Sequence, residues 1–355
     1  MSRQSELAEL SRVYDSGSLS NRNMIINGAF IVAQRGTSST SSGIKTVDRT
    51  NLIYGGTDEA PTQAQVDVSS GTTPYSLGFR KAFKVTNGNQ TSGAQAADYV
   101  QFEQGIEAQN VHAYGWDSTS TSSFITMSFW IKSSVARTFQ GSLRVDDSTK
   151  IYNWNTGALS ADTWTKVTKT ISGASGVTIN NDNGTGLQWI LWPYLGTNYT
   201  GGGTSDAWKA HDSDDWAAST DDTTWYTTND ATCEITGLQI EVGLSETPFE
   251  HRSYGDELQR CSRYTIGYTN KPIGICSGGT TITHEVVELH TKMRATPTVE
   301  SGATYDVNAG NAGTVVISRS AQLTSTDDTI NFYNSANNWT TNAACRVTCI
   351  LTAEL

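Results

Sequence analysis

Hydrophobic and polar residues alternate along much of this chain with the two-residue period of β-strands. The clearest run is Phe124-Ile-Thr-Met-Ser-Phe-Trp-Ile-Lys132. Ile125, Met127, Phe129 and Ile131 share one face, while Thr126, Ser128, Trp130 and Lys132 share the other. The same pattern predicts strands over 80–86, 163–171 and 234–242. In the last of these, Ile235 falls with Gly237, and Leu238, Ile240 and Val242 fall on the opposite face. A bulge at Gly237 reconciles the two sets. Beyond residue 264 the pattern predicts further strands over 284–290, 314–318, 329–333 and 345–355.

Helical spacing occurs twice. Leu7, Leu10 and Tyr14 form one narrow stripe over 5–14, which Ser-Gly-Ser-Leu-Ser at 16–20 ends. A stripe this narrow does not hold a helix alone, so it is expected to dock on copies of the chain or on another protein. The second helix is predicted over 253–264, with Tyr254, Leu258 and Cys261 at i, i+4 and i+7 and a capped start at Ser253. The chain therefore divides into a docking helix (1–22), a β domain (23–250), a linking helix (251–264) and a smaller C-terminal β-sandwich (265–355). Many short strands without helices between them predict an all-β fold, the larger domain being a jelly roll or sandwich.

Charged residues make up 17% and hydrophobic residues 36% of the 355 residues, values low enough to raise disorder. Ten Trp, fourteen Tyr and nine Phe exclude it, because disordered chains are poor in aromatics. The net charge of -11 and the lack of any Lys/Arg cluster argue against a nucleic-acid partner. No apolar run is long enough to enter a membrane as a spanning helix, and Met1–Leu10 lacks the apolar core of an export signal. The five cysteines, Cys233, Cys261, Cys276, Cys345 and Cys349, are odd in number and scattered. Cys345 and Cys349 lie on one predicted strand roughly 13 Å apart, against about 4.4–6.8 Å for a disulfide. All five are expected to be free thiols.

Candidate chemistry is sparse. His284-Glu-Val-Val-Glu-Leu-His290 has Glu288 where a zinc-protease helix needs its second His, and it alternates as a strand. There is no phosphate-binding loop and no nucleophile elbow, so no catalytic activity is expected. Asp212, Asp214, Asp215, Asp221 and Asp222 could ligate Ca²⁺, but a solvated acidic loop is the simpler reading and no cofactor is expected. Glu103 with Glu107, or Asp214 with Asp215, are the acid pairs open to a glycosidase, with nothing in their spacing to select them. One feature exceeds background: five of the ten Trp fall between Trp189 and Trp225, with Tyr194, Tyr199 and Tyr226 close by. Residues 196–230 show little strand pattern, which places these aromatics on loops. Sugars stack on such rings while Asp and Asn accept from hydroxyls. The candidate glycan-binding residues are Trp192, Tyr194, Trp208, Asp214, Trp216 and Trp225. The alternative is that these rings pin long loops onto the sandwich.

Several strings stand in a characteristic order: 23–36 (Asn-Met-Ile-Ile-Asn-Gly-Ala-Phe-Ile-Val-Ala-Gln-Arg-Gly), Thr46-Val-Asp-Arg49, 102–111, 125–134, 235–243, 247–264, 293–299 and the closing Ala-Glu-Leu355. Together they resemble a family of tailed-bacteriophage tail-fibre and other virion surface proteins, over nearly the whole chain. The first domain also resembles a carbohydrate-binding jelly roll. The chain departs from the family at Thr50, where an aromatic usually follows the Asp-Arg pair. The resemblance implies a non-enzymatic virion structural protein, made in the host cytoplasm and carried on the tail or particle surface. It implies a homo-oligomer, most often a trimer, that meets other tail or capsid proteins and binds a host-surface glycan. The alternatives are a capsid or neck decoration protein and a glycan-degrading tailspike.

Overall fold

The computed structural model describes residues 21–219, 222–275, 283–300, 304–307, 311–314, 316–317, 329–334 and 344–355. Leu7, Leu10 and Tyr14, with the helix predicted around them, lie outside these residues. The described chain forms two compact units, one of 21–31 with Thr37–Arg252 and one of Val32–Gly36 with Ser253–Leu355. Among the described residues, no helix is long and apolar enough to cross a membrane.

The first unit contains β1 (Ser38–Ser39), β2 (Asn51–Gly55), β3 (Thr62–Asp67), β4 (Lys81–Thr86), β5 (Tyr99–Glu107), β6 (Phe124–Ser133), β7 (Gln140–Val145), β8 (Lys150–Asn155), β9 (Thr165–Ser172), β10 (Thr185–Leu195), β11 (Trp208–Ala210) and β12 (Thr232–Val242). They build two six-stranded antiparallel sheets, ordered β1-β3-β4-β12-β6-β9 and β11-β8-β7-β10-β5-β2. The inner faces meet in one core, where Phe83 meets Phe102 at 5.5 Å and Phe129 meets Trp189 at 5.4 Å between ring centroids. The protein is all-β. Ile125, Met127, Phe129 and Ile131 of β6 are all fully buried, as their alternation predicts.

The bulge expected at Gly237 is present. The β12–β6 register shifts between Thr236 and Gln239, and Gly237 adopts φ +66°. A Cβ there would come within 2.5 Å of the Phe79 ring, so glycine is required for space as well as for backbone. The segment 23–36 forms no regular strand. It is an irregular chain pinned beside β12, where Asn23 Oδ1 accepts from Ile25 N at 3.0 Å and Ile240 N at 3.1 Å, and Asn23 Nδ2 donates to Leu238 O. Short helical turns at Thr73–Ser76, Ala108–Ala113 and Thr224–Thr227 also interrupt a region whose pattern reads as strands alone.

In the second unit the predicted helix spans Tyr254–Ser262, capped by Ser253 Oγ accepting from Asp256 N at 3.1 Å. The strands are β13 (Thr265–Ile275), β14 (Thr283–Glu288), β15 (Thr298–Val299), β16 (Thr304–Val307), β17 (Asn311–Thr314), β18 (Val316–Ile317), β19 (Thr329–Asn334) and β20 (Ala344–Thr352). One sheet runs β13-β20-β16-β17 with β15 also pairing β20, and a second runs β14-β19-β18. Arg35 fastens this unit from a distant part of the sequence, its buried guanidinium meeting Glu300 at 2.6 Å, Glu354 at 3.4 Å and Thr352 at 3.0 Å.

Cys233, Cys261 and Cys349 are free and buried; Cys276 and the side chain of Cys345 lie outside the described residues. Burial pushes the Cys233 thiol far above the ordinary thiol range and Cys349 up to about 12. A thiol reagent at mildly alkaline pH is therefore expected to spare Cys233, Cys261 and Cys349 in the native protein, while denaturation without reductant releases five titratable thiols. Fewer than five after denaturation would contradict the reading of the cysteines.

Candidate ligand-binding face

The second sheet presents its other face away from the core, and strand alternation decides what stands there. On β10, Trp189 and Leu191 point into the core, while Gln188, Ile190 and Trp192 point outward. On β5, Val100 and Phe102 are core residues, and Tyr99, Gln101 and Glu103 are outward. Arg144 of β7 and Ile53 of β2 join the same face. The pairing sets them side by side, with Gln188 opposite Arg144, Ile190 between Glu103 and Ser142, and Ile53 opposite Gln101. Apart from Ile190 and Ser142, these residues, with Leu195, Tyr199 and Trp216, line a cavity of about 380 Å³. That is within the roughly 300–1,000 Å³ of small-ligand sites.

One wall comes from the loop after β10. Its Trp216 meets Trp192 edge-on at 5.6 Å, lies under the Arg144 guanidinium at 5.3 Å, and receives His211 edge-on at 4.2 Å. Tyr199 meets Tyr99 edge-on at 5.6 Å. Trp216 N donates to Tyr199 O at 3.1 Å, closing the loop on itself, and Trp216 O accepts from Ser142 Oγ of β7 at 2.6 Å, tying it to the sheet. Asn153 Nδ2 donates to Asp215 O at 2.8 Å. Lys209 pairs with the buried Asp215 carboxylate at 2.6 Å and also donates to Gly202 O. A Cβ on Gly203 would come within 2.3 Å of Ala217 O, so only glycine lets the loop close here.

Burial raises the pKa of the Glu103 carboxyl, although hydrogen bonds from Asn51 Nδ2 at 3.0 Å and from Gln101, together with nearby Arg144, pull it back down. Arg144 Nε faces Asp146 at 3.0 Å. Gln188 Oε1 and Trp192 Nε1 are buried without a hydrogen-bond partner among the described residues. His211 is lowered from the ordinary histidine value by burial first and by Arg144 second.

The six predicted glycan-binding residues part company. Trp192 and Trp216 meet in the cavity. Tyr194 does not join them, although it stands two residues after Trp192 in a strand. The β10–β5 register shifts between Leu191 and Tyr194, and this irregularity turns Tyr194 into the core, where it stacks on Tyr226 at 4.3 Å. Trp225 is completely buried in a helical turn rather than displayed on a loop. Trp208 lies half-buried against Tyr152 and Trp116, and its indole donates to Ser172 O at 2.8 Å. Asp214 is exposed and is not among the cavity residues. Trp225, Tyr194 and Trp208 thus pack within the sandwich or against it and do not line this cavity. The acidic string is likewise committed to the protein: Asp215 serves Lys209 and Asp212 N, and Asp222 accepts from Thr224 N at 2.7 Å. Asp221 lies outside the described residues, among which no group of three or more His, Cys, Asp or Glu is placed to hold a metal ion. Of the pair Glu103 and Glu107, only Glu103 lines the cavity; Glu107 is buried and accepts from Gln109 at 2.6 Å. Sequence reading passed over Tyr99, Gln101, Arg144 and Gln188. The signal was the alternation Tyr99-Val-Gln-Phe-Glu103, whose polar set marks an outward face.

No protein-family model and no curated protein matches the chain. Solved structures show remote likenesses. The enzymatically active domain of tailspike protein 4 from bacteriophage CBA120 is 11% identical with TM-score 0.32, over 62% of this chain and 21% of that one. The chain thus spans about a fifth of that tailspike. The N-terminal cellulose-binding domain of Cellulomonas fimi β-1,4-glucanase C is 12% identical with TM-score 0.27, over 61% and 99% of the two chains. A family 11 carbohydrate-binding module from Clostridium thermocellum, solved with a mixed-linked tetrasaccharide, is 10% identical with TM-score 0.28, over 59% and 98%.

Because the folded His211 sits below its ordinary value of 6.5, its neutral form is favoured in the closed loop. The stability it lends is present above about 6.5 and is lost as pH falls through the lower folded value. His211→Phe should therefore flatten the fall in melting temperature on acidification, measured by calorimetry across this window. A variant that tracks the wild type at every pH would contradict the role of His211 in holding Trp216.

Proposed function

We propose that the first unit is a non-catalytic carbohydrate-binding module, and that its ligand lies on the outer face of the second sheet. The observation that carries this reading is the convergence of Trp192, Trp216, Tyr99 and Tyr199 with Gln101, Glu103, Arg144 and Gln188 around one cavity. A pyranose presents apolar C–H faces and a rim of hydroxyls. The aromatic walls suit the first, and the amide, carboxylate and guanidinium ends suit the second. Gln101, Glu103 and Arg144 bring hydrogen-bond donors and acceptors to the same cavity. We further propose that the module serves a virion surface protein, most often a tail fibre in the family the sequence resembles, assembled as a trimer and binding a host-surface glycan. The order of the strings at 23–36, 102–111, 235–243 and 247–264 supports that part.

Trp216→Ala should weaken binding of host polysaccharide, measured by calorimetry, on the order of thirty-fold, equivalent to about 2 kcal/mol, with little change in melting temperature. Trp225→Ala should instead cost about 3–5 kcal/mol of folding stability. Glu103→Gln should weaken binding without lowering the melting temperature, because at neutral pH the ionised carboxylate is held above its ordinary pKa by burial and costs stability rather than adding it. Unchanged binding by both Trp216→Ala and Glu103→Gln would refute the site. Release of reducing ends from the polysaccharide would turn the reading towards a tailspike, antibody labelling confined to the capsid would turn it towards a decoration protein, and a solution mass of one 38.3 kDa chain would remove the trimer.

A further inference from the structure

The loop after β10 decides how much of the second sheet's outer face a ligand can reach. Ser142 of β7 and Asn153 of β8 are paired across the strands and point away from the core, yet both are buried. The loop lies over them. Ser205 bridges to Asn153, Thr200 bridges to Ala217, and the Ser142 and Asn153 side chains donate to the carbonyls of Trp216 and Asp215. Ile190 of the sheet and Ala217 of the loop are fully buried against each other in one apolar cluster. Lifting the loop would return that surface to water. It is therefore a fixed wall and not a lid.

That wall bounds the cavity on the β7–β8 side, where Trp216 stands. A second wall closes the end of β10. Tyr199 meets Tyr99 edge-on at 5.6 Å, and the chain around Tyr199 is tied to the segment before β5. Gly196 N donates to Asp98 O at 2.8 Å, Asn198 N to Ala96 O at 2.9 Å and Tyr199 Oη to Ala97 O at 3.3 Å. Opposite this end, Arg144 sits over the Trp216 ring and is held by Asp146 at 3.0 Å. The side toward β2 differs: Glu103 and Ile53 are only partly buried, and Ile53 belongs to the edge strand of the sheet. A polysaccharide held by an interior residue must both enter and leave its site, which takes an open groove. A cavity walled in this way receives a chain end, with the chain leaving by the open side. We propose, resting on the carbohydrate reading of this face, that the cavity takes the non-reducing terminal or side-branch residue of a glycan. The terminal ring meets Trp192 and Trp216, and the units behind it pass out over Ile53. Glycans fixed to a surface are anchored through their reducing ends, so the non-reducing tips are what they present.

Linear oligosaccharides test this, chosen from the hits on a printed array of bacterial-surface glycans, graded in length from the disaccharide upward and tagged at the reducing end. In calorimetry with the full chain, a single copy should bind per oligosaccharide at every length, and the association constant per oligosaccharide should level off after the first few units. Copies bound per oligosaccharide, and an association constant, that both rise in proportion to length would show interior binding and overturn the proposal. Loss of binding caused by the reducing-end tag would overturn it as well. Trp216→Ala separates this failure from that of the carbohydrate reading. Length-proportional binding that is lost in Trp216→Ala removes only the end-on mode, whereas binding that Trp216→Ala leaves intact removes the site and the end-on mode together.

Discussion

Side chains of β10 alternate across its sheet, and both the core and the ligand face depend on that alternation. Trp189 points inward onto Phe102, Phe129 and Trp154, at 6.1, 5.4 and 6.1 Å between centroids. Gln188, Ile190 and Trp192 point outward to the cavity and its apolar surround. A slip of one residue would exchange the two sets, burying Gln188 and expelling Trp189. The neighbours forbid the slip. β5 and β7 flank β10 on both sides, and β7 offers Gly141 where the Trp154 ring passes, with only 2.1 Å available to a Cβ. The packing that stabilises the sandwich therefore also fixes the spacing of the groups proposed to bind, so the proposed site needs little reorganisation to accept a ligand.

The outer face carries polar groups that its own sheet does not fully satisfy. Glu103 is held against its preferred charge state by burial, and Gln188 Oε1 and Trp192 Nε1 lack protein partners among the described residues. Groups like these add little to folding and would be replaced without loss in a purely structural sheet. They stand beside a loop anchored by Lys209–Asp215 and by the Ser142 and Asn153 side chains.

Much of the fold was legible in the sequence. Strands β4, β6, β9 and β12 follow the alternation closely, the Gly237 bulge follows from a break in phase within nine residues, and the Ser253 cap follows from its hydroxyl ahead of Asp256 and Glu257. The site was half legible, for two physical reasons. Aromatic density between Trp189 and Trp225 marks the region but not the direction of each ring. The register shift after Leu191 sends Tyr194 inward when its spacing from Trp192 predicts the reverse, and Trp225 is drawn into the core by a single helical turn. Arg144 and Gln188 escaped notice because their role comes from cross-strand pairing between segments over forty residues apart, which a linear pattern does not display.

The central claim is that the outer face of the second sheet, and not the sandwich as a whole, meets the ligand. The ten tryptophans provide ten indole N–H resonances that report on it directly. Titrating the protein with host polysaccharide fragments should shift the signals of Trp192 and Trp216 while those of the core residues Trp154, Trp189 and Trp225 stay in place. Saturable binding that leaves Trp192 and Trp216 unmoved, with shifts confined to Trp130 on the opposite sheet, would contradict the account.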